Sequence, residues 1–419
     1  MKFVSSKYKR PLGIAGNRSI PAVFGGFTAF FTKNGIKTHR RGRFLACGAL
    51  ALLLSTCGQD PIFDMISREV KPRQPRIKGV PTKMAIFDRG SGDWGMYVAG
   101  SSLHRYAKGV WDAGEIPQPP GRVFDLAATS DALYALVNVD SPQLYRFNQS
   151  AGWTKVNTAA AGAYSRFQTI YSETESTGKP LTTNNLYIGA NNSTGDYAVF
   201  HSAGGALTLL QTGTGMLTGA AYDGTNHYFS ANGGGVYSST SPSSGFAQVS
   251  GITNSRALIR VKDTPTVEII ALCSNGDLYT VSGSTATAKG NTGINPFGAA
   301  AVWTRNTTTL LLAASQASSS TNNYVYGYRE LNITGGLPET VTMSEPGVKA
   351  PSTADDNKRY KDTIEPKPVN AIFQAPAEVD SEQTLFASVQ GRGVAKDNTD
   401  GGLWSYRPRS GGWQWNAEE

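Results

Sequence analysis

Residues 83–419 predict an all-β domain assembled from a repeated four-stranded unit. Short runs rich in β-branched and aromatic residues alternate with Gly, Asn, Ser and Asp turns, and no long helical periodicity interrupts them. The runs recur in a fixed order with a period of about 45 residues. A charged fraction of 17% is too low for a disordered chain or a coiled coil, and a hydrophobic fraction of 39% still builds a core.

Seven copies of the unit follow one another. The second is the clearest: strands at residues 123–128, 132–137, 143–147 and 152–156, separated by turns such as Ser130-Asp131 and Ser141-Pro142. The first copy has runs at 84–87, 96–98, 103–106 and 110–111, the third at 167–171, 186–188, 197–200 and 207–210. The fourth reads 220–222, 227–229, 235–237 and 246–249, the fifth 257–261, 268–273, 277–279 and a weaker 285–288. The sixth is expected at 299–303, 310–313, 324–326 and 339–341, the seventh at 371–373, 385–387, 402–404 and 412–415. Residues 344–368 carry almost no large apolar side chain and read as a surface-loop insertion.

A period of about 40–50 residues with four strands per copy is the signature of the β-propeller superfold, which the chain resembles over residues 83–419. A lone four-stranded sheet exposes both faces. Radial packing covers them, with Leu, Tyr and Trp at repeated positions filling the space between sheets. The expectation is a seven-bladed propeller of four-stranded antiparallel blades. The seventh copy holds four strands of its own, so ring closure needs no strand exchanged between the termini. An elongated pair of β-sandwiches is the alternative.

The N-terminal residues 1–57 have a different character. They hold ten Lys or Arg and no acid, whereas residues 58–419 carry 29 basic and 31 acidic groups. The net charge of +8 therefore belongs to the leader, and without it the chain has no excess charge to hold a nucleic acid. His39-Arg40-Arg41-Gly42-Arg43 precedes a short apolar run from Phe44 to Leu54, the layout of a signal peptide, and the run is too short to span a bilayer. Leu54-Ser55-Thr56-Cys57 resembles a bacterial lipobox. Thr56 departs from the usual small residue and is similar to the looser lipobox of spirochaetes. The resemblance implies lipidation at Cys57, a membrane held through that lipid, and an exported protein at the outer membrane or periplasmic face. An ordinary cleavage site and an uncleaved anchor are the alternatives. Residues 58–82, with Pro61, Pro72, Pro75 and Pro81 among basic side chains, read as a tether. Beyond Cys57 only Cys273 remains, in an apolar run, and it is expected to be a small buried hydrophobe.

Motifs that carry chemistry are scarce. His104, His201 and His227 fall in three different copies with no metal-ligand spacing, and each is expected in a structural role at a strand surface, a strand end and a hairpin. No catalytic residue, metal or cofactor is assigned. Asp88, Asp125 and Asp223 sit on first strands and would make a carboxylate cluster if they converged, although an Asp at a strand end more often caps a turn. Aligning the copies by their first strands places Lys83, Arg122, Arg166 and Arg256 at one level. This predicts a basic ring around one channel mouth, suited to an acidic segment, unless each cation pairs with a neighbouring acid. Trp94, Tyr164 and Trp303 are expected to pack between blades rather than line that mouth.

The leading expectation is a lipid-anchored scaffold that docks another envelope protein. Architecture and anchoring are similar to the propeller lipoprotein of the outer-membrane barrel-assembly machinery, a likeness of fold and address only. The alternatives are a propeller hydrolase or lyase acting on a saccharide or lactone through the Asp residues, and a structural surface lipoprotein without a small ligand.

Overall fold

Alternating apolar residues joined by tight turns fold each repeated unit into an antiparallel meander, because neighbouring strands in sequence find their ladder partners at the lowest loop-closure cost. The computed structural model describes Ile77 and residues 81–100, 102–112, 117–295, 297–316, 327–343, 368–389, 402–409 and 412–418. The leader with Cys57, most of residues 58–80, residues 344–367 and the expected strand at 324–326 lie outside the described residues.

Blade 1 comprises β1 (Met84–Asp88), β2 (Trp94–Ala99), β3 (Leu103–Ala107) and β4 (Val110–Trp111). Blade 2 follows with β5 (Arg122–Ala128), β6 (Leu133–Asn138), β7 (Pro142–Asn148) and β8 (Gly152–Lys155). In blade 3 the strands are β9 (Arg166–Ser172), β10 (Leu186–Asn191), β11 (Tyr197–Ala203) and β12 (Ala206–Thr212). Blade 4 has β13 (Met216–Tyr222), β14 (His227–Asn232), β15 (Gly235–Ser239) and β16 (Ala247–Gln248). Blade 5 has β17 (Ser255–Lys262), β18 (Glu268–Cys273), β19 (Asp277–Ser282) and β20 (Thr285–Asn291). Blade 6 shows β21 (Phe297–Arg305), β22 (Thr308–Ser315) and β23 (Tyr328–Asn332), after which β24 (Val341–Thr342) leaves the blade. Blade 7 closes the series with β25 (Val369–Gln374), β26 (Leu385–Val389), β27 (Gly402–Arg409) and β28 (Gly412–Ala417).

The chain is a seven-bladed β-propeller, and the first strand of every blade lines one central channel. Blade 6 departs from the repeat read in the sequence. The described strand that pairs with β22 is β23, and the run expected at 324–326 lies outside the described residues. Residues 339–341 were expected as its fourth strand. Instead β24 pairs in parallel with β20 of blade 5 through Gly290↔Val341 and Asn291↔Thr342. Among the described residues blade 6 therefore has three strands of its own.

Side chains from facing blades form the core. Tyr134, Leu136 and Leu144 of blade 2 pack with Ile170, Ile188 and Phe200 of blade 3, and Trp303 and Leu312 of blade 6 pack with Ile372, Leu385 and Tyr406 of blade 7. Trp303 is fully buried, Tyr164 packs against Phe200, and Trp94 lies against the blade 1–blade 7 core, so the three aromatics sit between blades. Cys273 is buried in the blade 4–blade 5 core, and burial, with Asp277 nearby, pushes its thiol up to about 11. Ile77, in the stretch read as tether, is fully buried beside Ile86, Met96 and Phe386, so the core takes in a side chain N-terminal to residue 83.

Blades 7 and 1 close the ring by side-chain packing, since their sheets remain separate. Tyr106 donates to Asp380 Oδ2 at 2.9 Å, the Lys108 amide donates to the Val379 carbonyl at 2.6 Å, and Trp111 Nε1 donates to the buried Glu418 carboxylate. Between blades 4 and 5 the approach is closer still: Gly219 and Leu258 of the first strands pair in parallel. A Cβ on Gly219 would stand 2.8 Å from the Leu258 Cβ and N, so only glycine permits this contact. Gly219→Val is expected to lower unfolding free energy by about 1–3 kcal/mol through overpacking. Urea unfolding checks this, and an unchanged midpoint would mean that the two strands separate freely.

Candidate functional site

The channel encloses about 600 Å³ and is lined by residues from all seven first strands. Six of those strands carry a β-bulge at the same level: the ladder with the second strand skips Phe124, Gln168, Thr218, Arg256, Gly298 and Asn370. Blade 1 runs without a bulge from Met84↔Val98, which leaves Lys83 at the equivalent level just before β1. A bulge frees one residue from the ladder and re-aims its side chain. Repeated around the ring, it forms one rung of residues at the end of the channel where the first strands begin.

The four basic residues expected at one level are divided by this register. Lys83 and Arg256 belong to the bulge rung and line the channel. Arg122 and Arg166 open β5 and β9, two positions before the bulge residues Phe124 and Gln168, and are exposed outside the channel wall. Alignment on apolar runs missed the difference because a bulge adds a residue without changing the apolar pattern.

Lys83 is paired. Its Nζ donates to Asp125 Oδ2 at 2.7 Å and to the Ile170 carbonyl at 2.5 Å, and lies 3.3 Å from the centroid of the Tyr171 ring. Asp125 Oδ2 also accepts the Ile170 amide at 2.8 Å, and Oδ1 accepts the Leu126 amide at 3.0 Å. This cluster ties blades 1, 2 and 3 together at the channel wall. Burial pushes the Lys83 ammonium down and the Asp125 carboxyl up, and their mutual attraction opposes both shifts. Arg122, Arg166 and Arg256, by contrast, have no ion-pair partner among the described residues. The Arg256 Nε is buried and makes no hydrogen bond among the described residues.

The opposite end of the channel is crossed by residues 173–185, the connection between β9 and β10. Thr174 and Gly178 of this segment line the channel floor. Ser176 Oγ donates to Asp263 Oδ2 of blade 5 at 2.6 Å, Lys179 Nζ reaches Glu378 of blade 7 at 2.6 Å, and the same ammonium lies 5.3 Å from the Trp94 ring of blade 1. Gly178, at φ +83°, makes the turn that fits against Met84 and Ile86. One loop from blade 3 thus touches three other blades and plugs the channel.

The roots of the plug are pinned by a buried polar network. Glu173 Oε1 lies 2.6 Å from His227 Nδ1 and accepts the Tyr187 hydroxyl at 2.9 Å, while Oε2 accepts Asn185 Nδ2 at 3.0 Å. Asn185 Oδ1 lies 2.9 Å from His201 Nε2. His201 and His227, expected at a strand end and a hairpin in separate copies, are in fact buried and joined through Glu173 and Asn185. His104 is also largely buried, between Ser102 and Asp112. Sequence reading did not find the network, because Glu173 belongs to no motif. The length of the connection at 173–185, against the four or five residues that join the first two strands of blades 1, 2, 4 and 5, was the available signal.

Asp88, Asp125 and Asp223 do not converge. Asp88 accepts the Gly90 and Gly92 amides and Asp223 accepts the Thr225 and Asn226 amides, so each caps a turn, whereas Asp125 is committed to Lys83. Among the described residues no three His, Cys, Asp or Glu gather at a metal position.

Two measurements check these assignments. Lys83→Met leaves Asp125 buried without its partner and is expected to cost about 3–5 kcal/mol, most of it recovered in Lys83→Met/Asp125→Leu; equal losses in both would show that the pair is not coupled. Burial, with His227 adding and Glu173 opposing, holds the His201 imidazole below its ordinary value of 6.5. The unfolded chain then binds a proton at His201 before the folded one does, so the stability contributed by neutral His201 is present above pH 6.5 and is lost as pH falls below it. Urea midpoints measured down the pH scale are expected to decline less steeply in His201→Asn than in the parent.

No protein-family model matches the chain, and no curated protein sequence matches it. Solved structures to which it is similar include YCF48 bound to D1 peptide, at 10% identity and a TM-score of 0.43, covering 76% of this chain and 92% of that one. BBS1N in complex with ARL6DN is similar at 12% identity and a TM-score of 0.47, covering 81% and 95%. The WD40 β-propeller domain of Doa1 is similar at 10% identity and a TM-score of 0.47, covering 75% and 93%. The propeller assignment itself rests on this chain's own blades and the channel that their first strands share.

Proposed function

We propose that this chain is an exported, lipid-anchored propeller that acts as a protein-docking scaffold, receiving an acidic segment of an envelope protein on the face where the first strands begin. The observation that carries the reading is the unpaired state of Arg122, Arg166 and Arg256, which stand at the starts of first strands in blades 2, 3 and 5. Residues 58–419 carry slightly more acid than base, so these cations are a local positive feature on an otherwise balanced domain. Guanidinium groups without an internal acid offer their donors to carboxylates of a partner, with planar two-point geometry. Export and anchoring rest on the sequence alone, through the basic cluster, the apolar run and Cys57.

Crosslinking in intact envelopes, followed by pull-down of the full chain, tests the proposal. A protein partner is expected with the parent and is expected to be lost with Arg122→Ala/Arg166→Ala/Arg256→Ala. At about 0.5–1 kcal/mol per partly exposed ion pair, the triple change lowers affinity on the order of 10- to 100-fold, and added salt narrows the gap. Cys57→Ser is expected to release the protein from the membrane fraction. A partner retained at full yield by the folded triple variant would overturn the docking face, and membrane retention of Cys57→Ser would overturn the lipid anchor.

A further inference from the structure

We infer that the channel is a binding cup for an amphiphilic monocarboxylate, a molecule with an apolar body and a single anionic head. The inference goes beyond the docking reading and does not depend on it, since the ligand would lie inside the ring and not across its face.

The cup has walls, a floor and one uncompensated charge. Its walls are apolar over much of their height, with the half-buried side chains of Met84, Met216, Ile259 and Ala300 contributed by four of the blades. Its floor is the plug, through Thr174 and Gly178. Among the described residues, Lys83, Asp125 and Arg256 are the charged side chains in the lining. Lys83 and Asp125 neutralise one another in a 2.7 Å ion pair, which leaves the Arg256 guanidinium as the net charge of the cavity. A cation held beside apolar walls without a hydrogen-bond partner at Nε is costly unless an anion arrives to share it.

The bulge rung places that cation at the upper edge of the apolar section. Next to Arg256 in the ring comes Gly298 of blade 6, where a Cβ would meet Gln316 Cγ at 2.8 Å and the Val369 carbonyl at 2.9 Å. The Gln316 side chain and the β25 backbone fill that position, so β21 adds no side chain of its own to the rung. Asn370 of blade 7 follows in the rung, with no hydrogen-bond partner for its side-chain amide among the described residues. A carboxylate in the channel accepts from the Arg256 guanidinium at this level, with Asn370 two blades on in the same rung, while the apolar body extends toward the plug. A volume of about 600 Å³ lies within the range of small-molecule pockets, roughly 300–1,000 Å³.

Titration calorimetry of the full chain with octanoate, decanoate and dodecanoate, each below its micellar concentration, tests the cup. One equivalent is expected to bind, with affinity rising about fourfold per added methylene until the cavity is full. Dodecylammonium, with the same apolar body and the opposite charge, is expected not to bind. Arg256→Gln is expected to weaken dodecanoate at least tenfold, and Ala300→Phe, which fills the cavity, to abolish binding. Arg122→Ala/Arg166→Ala lies outside the lining and is expected to leave dodecanoate affinity unchanged while weakening the capture of an acidic protein partner. That contrast separates failure of the cup from failure of the docking face. Equal binding of dodecanoate and dodecylammonium, an affinity independent of chain length, or no binding by the folded parent protein would each overturn the inference without relying on any variant.

Discussion

Closure of blade 7 upon blade 1 is the contact on which the rest of the molecule depends. Seven sheets packed in a row would leave two apolar faces exposed, one at each end, and would enclose no channel. The gap is sealed by Ile86, Met96 and Tyr106 against Phe373, Phe386 and Leu403. Polar groups within that interface are satisfied across it. The Glu418 carboxylate takes the Trp111 indole and the Ser405 hydroxyl and pairs with Arg407 at 3.3 Å, and Asp380 takes the Tyr106 and Thr384 hydroxyls. Buried carboxylates that are fully bonded fix the angle at which two blades meet, whereas apolar packing alone tolerates sliding.

Within the closed ring, two local devices divide the channel chemically. The bulge recurring in six first strands turns one residue per blade out of the ladder at the strand-start end, and there the side chains range from Gly298 to Arg256. The plug occupies the strand-end mouth and is held at its roots by Glu173, His201 and His227 and near its tip by Asp263 and Glu378. Between them lies an apolar section whose one ion pair is internally neutral. A basic entrance, an apolar interior and a closed floor are consistent with recognition by charge at the face and by shape within. The repeated, closely packed geometry of the blades supplies rigidity to both.

Much of the architecture was legible because period and alternation are local properties of the chain. The repeated Leu, Tyr and Trp positions placed most strands within a few residues of where they fold, and blade 7, with its own four strands, showed that closure needs no exchanged strand. Blade 6 was misread at residues 339–341, expected as its fourth strand. Its final segment was misplaced because pairing with β20 is a contact between blades, to which local pattern is blind.

The sequence by itself determined the fold class, the number of units and the strand order, since burying both faces of repeated short strands admits few solutions. It also singled out Lys83, Arg122, Arg166 and Arg256 as basic residues near one end of the first strands. Which of these are free was decided only in three dimensions. Lys83 meets Asp125 from the next blade and Ile170 from the one after, while the bulge shifts Arg256 into the channel and leaves Arg122 and Arg166 on the rim. The plug and its Glu173–His227 root were likewise decided by tertiary contact, because residues 54 and 87 positions apart in sequence meet only once their blades have packed.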